Sequence, residues 1–380
     1  VLYRGSPQER AAMDLTSARW IVASLDIFRR DYSRIVTALH AKSHEMIVDE
    51  SHNLKNPASV LFKKVQQASA GGYLQMLTGT PISKPLDAYA YIKLKTPNLY
   101  RNYTHFEATH VEERDFWKRP IRFGHLDLLK ENLELQTISR TKKEIHGYDL
   151  TPIFPDTSYE LGPEHQRLYN KLVDEQLLIF DDGTKIDATT GPALRHALQQ
   201  VVVNFDHFSN NFENRSVAYD LIDQTIEETC CTQLDHSKLI IWTKYKMTSA
   251  RVLAYCLSLG IKTVAAYSGS DSAAAAEAFM HDPETRILVA NQQSAGAGLN
   301  PQYVCSEALY LEMDTVPIYN RQSIGRLDRV GQTVRPRMRI AVALGTVQVG
   351  LYHDMLKNDD MVERIEPSKD GLRKMLLGQV

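Results

Sequence analysis

The sequence contains few cysteines and no long apolar run. Its positive and negative side chains are nearly equal in number, so no charge of one sign predominates. Its four cysteines among 380 residues form no C-x-x-C pair, which argues against a zinc site or a disulfide framework and suits a reducing compartment. The formal net charge is -2, so any nucleic-acid surface must be local. No apolar stretch reaches the length of a membrane span and no signal peptide opens the chain, so we expect a cytoplasmic protein with no membrane partner. Nothing implies an oligomer.

Short apolar runs alternate with helix-length segments in two parts of the chain, before residue 100 and after residue 237. This alternation predicts an α/β fold, with parallel sheets covered by helices on both faces. Between these parts, roughly over 125–230, the sequence has helical periodicity and little strand signal. The runs predicted as buried strands are 20–23, 46–48, 74–77, 239–242, 263–266, 287–290, 308–311 and 340–343.

Unusual polar residues follow several of these predicted strands, where ligands bind in open parallel sheets. Asp49 and Glu50 come directly after the run 46–48. A carboxylate at a strand tip can hold Mg²⁺ through water, and a neighbouring carboxylate can orient an attacking water. The same pair could instead be an ordinary acidic turn whose aspartate caps the next helix.

Arginines are concentrated near residue 330. Arg326 and Arg329 are three residues apart, so on a helix they would share one face with Gln322. Two guanidinium groups on one face can stabilise the charge of a transferring γ-phosphate, although they could also form a solvated basic face. The glycine-containing loop 294–300 could approach a phosphate or be a flexible surface turn.

Taken together, five segments resemble the motifs of the Snf2 family of superfamily 2 helicase-like ATPases. They resemble motifs II, III, IV, V and VI in that order: VDESHNLKNPAS (48–59), LTGTP (77–81), KLIIWTKYKMTSARVLAYCL (238–257), SAGAGLN (294–300) and QSIGRLDRVGQ (322–332). The resemblance implies two RecA-like P-loop NTPase lobes with a helical Snf2-type insertion. We therefore predict a partial first lobe over 1–124, the insertion over 125–232 and the second lobe over 233–380.

The resemblance also implies roles for the residues of motifs II and III. Asp49 would ligate Mg²⁺ through water, and Glu50 would position the hydrolytic water. His52 would couple this site to motif VI or motif III. Thr78 and Thr80 would relay the nucleotide state to the DNA side.

In the second lobe, the resemblance implies that Arg326 and Arg329 act as arginine fingers. Gln322 would support the γ-phosphate. Gly298 would help to bind the nucleotide and, together with Asn300, would link DNA contact to hydrolysis. The segment 18–32 resembles the region of motif Ib. Contacts with nucleic acid are expected from four residues of motifs Ib, IV and V, namely Ser24, Lys244, Ser294 and Asn300.

On this resemblance, the expected activity is that of a DNA-dependent ATPase motor that uses ATP and Mg²⁺ and moves on double-stranded DNA. RNA is not excluded as a partner. The alternatives are a strand-separating helicase of the same superfamily and a non-catalytic DNA-binding scaffold with a degenerate site.

The chain contains no G-x-x-x-x-G-K-[ST] sequence, the loop with which this family cradles the β- and γ-phosphates. Either the chain is a fragment that begins just after motif Ia, or the protein works with a degenerate site. The first residue is Val1 rather than methionine, and the first three residues read like the end of a strand. We therefore expect a fragment.

Overall fold

A computed structural model gives the fold of most of the chain. Its contacts divide the chain into two compact units, of which the first comprises Val1–Ile138 and the second begins at Ser139. The division into three domains at 124 and 232 stays a prediction, because compactness of contacts does not test where an insertion begins. The structure describes residues 1–40, 43–79, 81–116, 118–138, 144, 150, 152–179, 185–209, 215–230, 238–293, 299–314, 316–353 and 356.

The first unit is an α/β body built around a short parallel pair of strands. The two strands are β1 Glu45–Val48 and β2 Tyr73–Met76, and they pair with Met46 opposite Leu74. Buried apolar side chains pack around it, including Val48, Phe62 and Val65. The elements are α1 Pro7–Ala12, α2 Leu25–Arg30, α3 Tyr32–His40, β1 Glu45–Val48, α4 Val60–Ala68, β2 Tyr73–Met76, α5 Ala88–Lys95, α6 Tyr103–His110, β3 Val111–Arg114, β4 Pro120–Phe123 and α7 Leu126–Glu134.

The strand predicted over 20–23 is wrong as a full strand. Only an isolated parallel bridge forms there, between Leu2 and Val22. Trp20 and Val22 are 62% and 56% exposed, so this run is not buried although it is apolar. Apolar composition alone does not bury a segment that has a neighbouring strand on one side only.

The second unit contains a six-stranded parallel sheet in the order β5-β12-β11-β8-β10-β9. Its elements are β5 Asp156–Tyr159, α8 Pro163–Glu175, β6 Leu177–Ile179, β7 Lys185–Asp187, α9 Gly191–Val203, α10 Phe205–Phe208, α11 Ala218–Cys230, β8 Lys238–Thr243, α12 Lys246–Ser258, β9 Thr263–Ala266, α13 Ser272–His281, β10 Ile287–Asn291, β11 Cys305–Tyr310, α14 Pro317–Leu327 and β12 Arg337–Ala343.

Continuous apolar runs form the central strands because both faces of the sheet are covered. Leu239 and Ile241 of β8 face one buried cluster, and Ile240 and Trp242 face the other. The five runs predicted as strands after residue 237 are confirmed in this sheet. No described helix in either unit is long and apolar enough to cross a membrane.

The expectation of little strand structure over 125–230 is wrong at three short strands, β5, β6 and β7. β5 extends the large sheet at its edge, where Ile340 of β12 pairs with Asp156. Only Tyr159 among its four residues is buried. An edge strand with one buried side chain leaves no apolar run in the sequence, so periodicity could not reveal it.

A buried carboxylate joins three elements of the second unit. Glu312 follows β11 and is 2% exposed. It accepts hydrogen bonds from the backbone N–H groups of Lys244 (2.9 Å) and Tyr245 (3.1 Å), just before α12, and from the Thr248 hydroxyl (2.9 Å). Thr248 in turn accepts a hydrogen bond from the Asn204 side chain, between α9 and α10 (3.0 Å). Burial raises the pKa of Glu312 to about 7, although these donors favour its charged form.

This raised pKa predicts that stability falls as the pH rises. Between the ordinary pKa of 4.5 and about 7, the folded protein keeps a proton on Glu312 that the unfolded chain releases. The contribution of Glu312 to the free energy of unfolding should therefore decrease by roughly 2–3 kcal/mol between about pH 5 and about pH 8. Denaturant unfolding of the wild type and of Glu312→Gln at both pH values measures it. The variant should lack this share of the pH dependence, and an identical pH dependence in both proteins would contradict the assignment.

Candidate functional site

The predicted carboxylate pair lies in a tight turn at the carboxyl end of β1. Asp49 and Glu50 are exposed there, and a 3₁₀ turn, Ser51–Leu54, follows them. Glu50 has φ 49° and ψ 47°, the left-handed conformation that a residue with a side chain rarely adopts. The alternative in which Asp49 caps the next helix does not apply, because its Oδ1 accepts the N–H of the adjacent Glu50 (2.8 Å) and α4 is capped by Ser59.

Three hydrogen bonds hold Glu50 in this conformation, and its carboxylate contacts His52. The Glu50 N–H donates to Oδ1 of Asp49. The Glu50 carbonyl accepts both the Asn53 side-chain amide (2.9 Å) and the Asn53 N–H (3.1 Å). The Glu50 carboxylate lies 3.1 Å from Nδ1 of His52. Burial lowers the pKa of His52 and the Glu50 carboxylate opposes this shift only in part, so His52 is neutral near pH 7. Strained backbone held by several bonds is typical of functional sites.

The turn after β1 is tied to the loop that follows β2. The N–H of Leu77 donates to the Val48 carbonyl (2.9 Å), and the N–H of Ser51 donates to the Leu77 carbonyl (3.0 Å). Further on, the Lys55 ammonium donates to the Ser83 hydroxyl (3.2 Å). The structure therefore brings the beginning of the predicted motif III, with Thr78 next to Leu77, beside the carboxylate turn. Thr80, Ser294 and Gly298 of the predicted site lie outside the described residues.

A groove of about 660 Å³ lies beside Asp49 and Glu50, between residues 18–25 and β1. Val22 donates its N–H to the Val1 carbonyl and accepts the Tyr3 N–H at its own carbonyl. Successive residues of an extended segment point these groups in opposite directions, so the N–H and C=O groups of Ile21 and Ala23 point away from residues 1–3. Ser24 lines the groove at its end and is exposed, and its hydroxyl caps α2 by accepting the Ile27 N–H (3.3 Å). The groove thus runs along both segments and includes the residues at their carboxyl ends.

The two arginines do not share a helix face as the sequence predicted. α14 ends at Leu327, so Arg326 lies in its last turn and Arg329 lies beyond it. Both nevertheless reach the same segment. Arg326 donates to the Leu299 carbonyl (3.4 Å), and Arg329 donates to the Asn300 side chain (2.9 Å). The predicted finger Arg329 and the predicted nucleic-acid contact Asn300 are therefore direct neighbours. Gln322 lies one helical turn before Arg326 and is half-buried.

Lys244 is not fully exposed, as a side chain that contacts phosphate would be. It follows β8 and is half-buried, and its ammonium donates to the Gln199 side chain on α9 (3.1 Å). Glu312, which the sequence analysis missed, lies beneath it. The signal for Glu312 was present, because it follows a predicted strand as Asp49 does, but a lone glutamate is common there.

Gln332, at the end of the predicted motif VI, anchors the segment after α14 through four hydrogen bonds. Its amide group donates to the carbonyls of Cys305 (3.0 Å) and Leu327 (3.3 Å), and its oxygen accepts the N–H groups of Thr333 and Val334 (both 3.1 Å). The preceding Gly331 has φ 90°, and a Cβ atom there would lie 2.5 Å from the Tyr303 ring. The Gly-Gln pair thus supports the segment that carries both arginines.

Asp49 suits Mg²⁺ bound together with a nucleotide rather than a closed metal site. Among the described residues, no group of three or more His, Cys, Asp or Glu side chains could hold a metal ion. Mg²⁺ in nucleotide sites commonly uses one or two carboxylates, with water and phosphate oxygens as its other ligands. The exposed Asp49 carboxylate meets that requirement.

The contacts of Gln332 predict a loss of stability on substitution. Gln332→Leu keeps a side chain of similar size but leaves the buried carbonyls without their donor, which should lower the free energy of unfolding by roughly 1–3 kcal/mol. The neighbouring Thr333 is exposed, so Thr333→Val should change it by less than about 0.5 kcal/mol. Denaturant unfolding measures both, and equal effects of the two substitutions would contradict the role of Gln332.

Comparison with known proteins assigns the family. A family model described as the SNF2-related domain matches residues 1–206. An "Uncharacterized ATP-dependent helicase" of Mycoplasma pneumoniae is 20% identical over 356 residues, which cover 90% of this chain and 32% of that protein. The human "DNA annealing helicase and endonuclease ZRANB3" is 22% identical over 362 residues, which cover 89% of this chain and 31% of that protein. The chain therefore spans about a third of the length of these relatives.

A solved structure, the Sulfolobus solfataricus SWI2/SNF2 ATPase core in complex with dsDNA, is 19% identical to this chain, with a TM-score of 0.39. It covers 96% of this chain, which corresponds to 80% of that structure. Because the TM-score is low, the assignment rests on the family model, whose match covers more than half of the sequence. This chain belongs to the SNF2-related domain family, the Snf2 group of superfamily 2 helicases.

Proposed function

We propose that the chain is the motor part of a DNA-dependent ATPase that moves on duplex DNA. The observation that carries this proposal is the Asp49–Glu50 turn, in which a strained glutamate is held at the carboxyl end of a parallel strand. In a nucleotide-hydrolysing site, the Glu50 carboxylate accepts a hydrogen bond from the attacking water and orients it. His52 would help to hold the direction of that carboxylate, because its Nδ1 lies 3.1 Å from it. Mg²⁺ bound by Asp49 through water would offset the charge of the phosphates.

The residues of the second unit have complementary roles in this proposal. Arg326 and Arg329 stabilise the charge that develops on the γ-phosphate, and Gln322 supports the same group. In the described conformation Arg329 is bound to Asn300, so it must leave Asn300 in order to reach a nucleotide. That exchange offers a physical link between hydrolysis and the nucleic-acid contact assigned to motif V. Gly298 and Ser294 belong to the same motif, and Thr78 and Thr80 serve this coupling in the first unit.

Duplex DNA is the proposed partner, because relatives act on DNA by name and one solved relative is described in complex with dsDNA. A strand-separating helicase would use the same residues. The non-catalytic scaffold has one specific observation in its favour, the lack of any G-x-x-x-x-G-K-[ST] sequence in these 380 residues. Hydrolysis therefore depends on a phosphate-binding loop supplied by polypeptide outside this sequence. The groove beside Asp49 supports this view, since a further strand placed there would end next to the carboxylates.

The 380-residue chain alone should not hydrolyse ATP measurably, with or without duplex DNA, because it has no loop of this kind to bind the β- and γ-phosphates. A longer polypeptide that adds a phosphate-binding loop ahead of Val1 should show DNA-stimulated phosphate release. In that protein Glu50→Gln should abolish turnover while leaving nucleotide binding largely intact. Arg329→Ala should lower turnover by roughly 10³-fold or more.

Glu45→Gln is the matched control for Glu50→Gln, because Glu45 lies at the opposite end of β1 and is also exposed. It should leave turnover unchanged. DNA-stimulated turnover by the 380-residue chain alone would show that the phosphate-binding loop has been misidentified. An inactive longer polypeptide would favour the scaffold.

Binding of duplex DNA should weaken steeply with salt despite the net charge of -2. Backbone contacts by local lysines and arginines release counterions, so the logarithm of affinity should fall linearly with the logarithm of salt concentration. Fluorescence anisotropy with a labelled duplex of about 20 base pairs should show a loss of at least about tenfold between about 50 and about 200 mM salt. An affinity that does not respond to salt would contradict backbone tracking.

A further inference from the structure

The Lys244 ammonium is already used inside the second unit. It donates to the Gln199 side chain (3.1 Å), which also accepts the Tyr245 hydroxyl (2.8 Å). The side chain of Gln199 is almost fully buried, at 3% exposure. Burial lowers the pKa of Lys244, and the carboxylates of Asp314 and Glu312 oppose this shift. Lys244 therefore sits among groups that hold it within the protein.

These contacts attach α9 to the carboxyl end of the large sheet. Lys244 and Tyr245 directly follow β8, and the Lys244 carbonyl accepts the side-chain amide of Asn291 at the end of β10 (2.5 Å). On the α9 side, His196 and Tyr245 share a further hydrogen bond between Nδ1 and the hydroxyl (2.8 Å). Removing the Lys244 ammonium would leave the buried Gln199 oxygen with fewer donors, so the ammonium is a structural tie between α9 and the sheet.

Arg195 is an exposed cation on the same side of α9. It lies four residues before Gln199, so the two side chains occupy adjacent turns of one helix face. Its charge is close enough to Lys244 and His196 to lower the pKa of both groups. At this edge, therefore, Arg195 presents positive charge to solvent above the half-buried Lys244. An exposed guanidinium can form bidentate hydrogen bonds with a phosphate without losing an internal partner of this kind.

We propose that Arg195 makes the duplex-DNA phosphate contact at this edge, and that Lys244 acts as an internal tie which positions α9. This assigns to the helical segment a role that the family resemblance implied for motif IV. The inference rests on the proposed function, namely that the chain binds duplex DNA with the segment after β8 next to the duplex.

The salt dependence of binding separates the two roles. Each phosphate contact on B-form DNA contributes about 0.9 to the slope of log affinity against log salt. Arg195→Gln should therefore reduce the magnitude of this slope by about 0.9, whereas Arg195→Lys should retain it. Lys244→Met should leave the slope unchanged and lower the melting temperature. Arg195→Gln should leave the melting temperature unchanged. The measurements are fluorescence anisotropy and thermal unfolding of the 380-residue chain.

Arg167→Gln is the matched control, because Arg167 is an exposed arginine on α8 rather than on α9. It should change neither the slope nor the melting temperature. A slope reduced by Lys244→Met but not by Arg195→Gln would overturn the inference, and so would a slope that neither substitution alters. Failure of the wild-type chain to bind duplex DNA at low salt is a separate result. It would overturn the proposed function as well, whereas binding with the wrong slope pattern overturns only the role of Arg195.

Discussion

Parallel pairing of strands is the constraint on which both units depend. In a parallel sheet all carboxyl ends lie at one edge, so residues that follow different strands are brought together although they are distant in sequence. In the first unit this places the Asp49–Glu50 turn after β1 beside the loop after β2. In the second unit it places Lys244 after β8 beside Glu312 after β11. The chemistry of each unit is therefore concentrated at one edge of its sheet.

Buried polar groups hold these edges in defined arrangements. A buried carboxylate or amide is costly unless each of its polar atoms has a partner, so such a group accepts few alternative positions. Glu312 satisfies this condition with two backbone N–H groups and a hydroxyl. Gln332 does so with two carbonyls and two N–H groups. These residues need not touch a ligand in order to matter for a site, since they set where Lys244 and the two arginines lie.

The strained conformation of Glu50 has a similar basis. Its left-handed backbone is unfavourable by itself, and the surrounding bonds from Asp49, Asn53 and Ser51 make the turn the best solution for the segment as a whole. The result is an exposed carboxylate on a constrained backbone, 3.1 Å from Nδ1 of His52. An exposed glutamate in an ordinary turn would have no such constraint, and a water that it bound would be poorly oriented.

The sequence by itself determined the class of fold, the central strands of the second unit and the residues that carry the motifs. It could do so because strands buried on both faces must be apolar, and because the motifs are local runs of residues. Only the tertiary structure decided that α14 ends before Arg329, that Lys244 turns inward to Gln199 and that Trp20 and Val22 stay exposed. It also revealed β5 at the sheet edge. These features depend on which partners lie across space, and hydrogen bonds between residues tens of positions apart leave no period or run in the sequence.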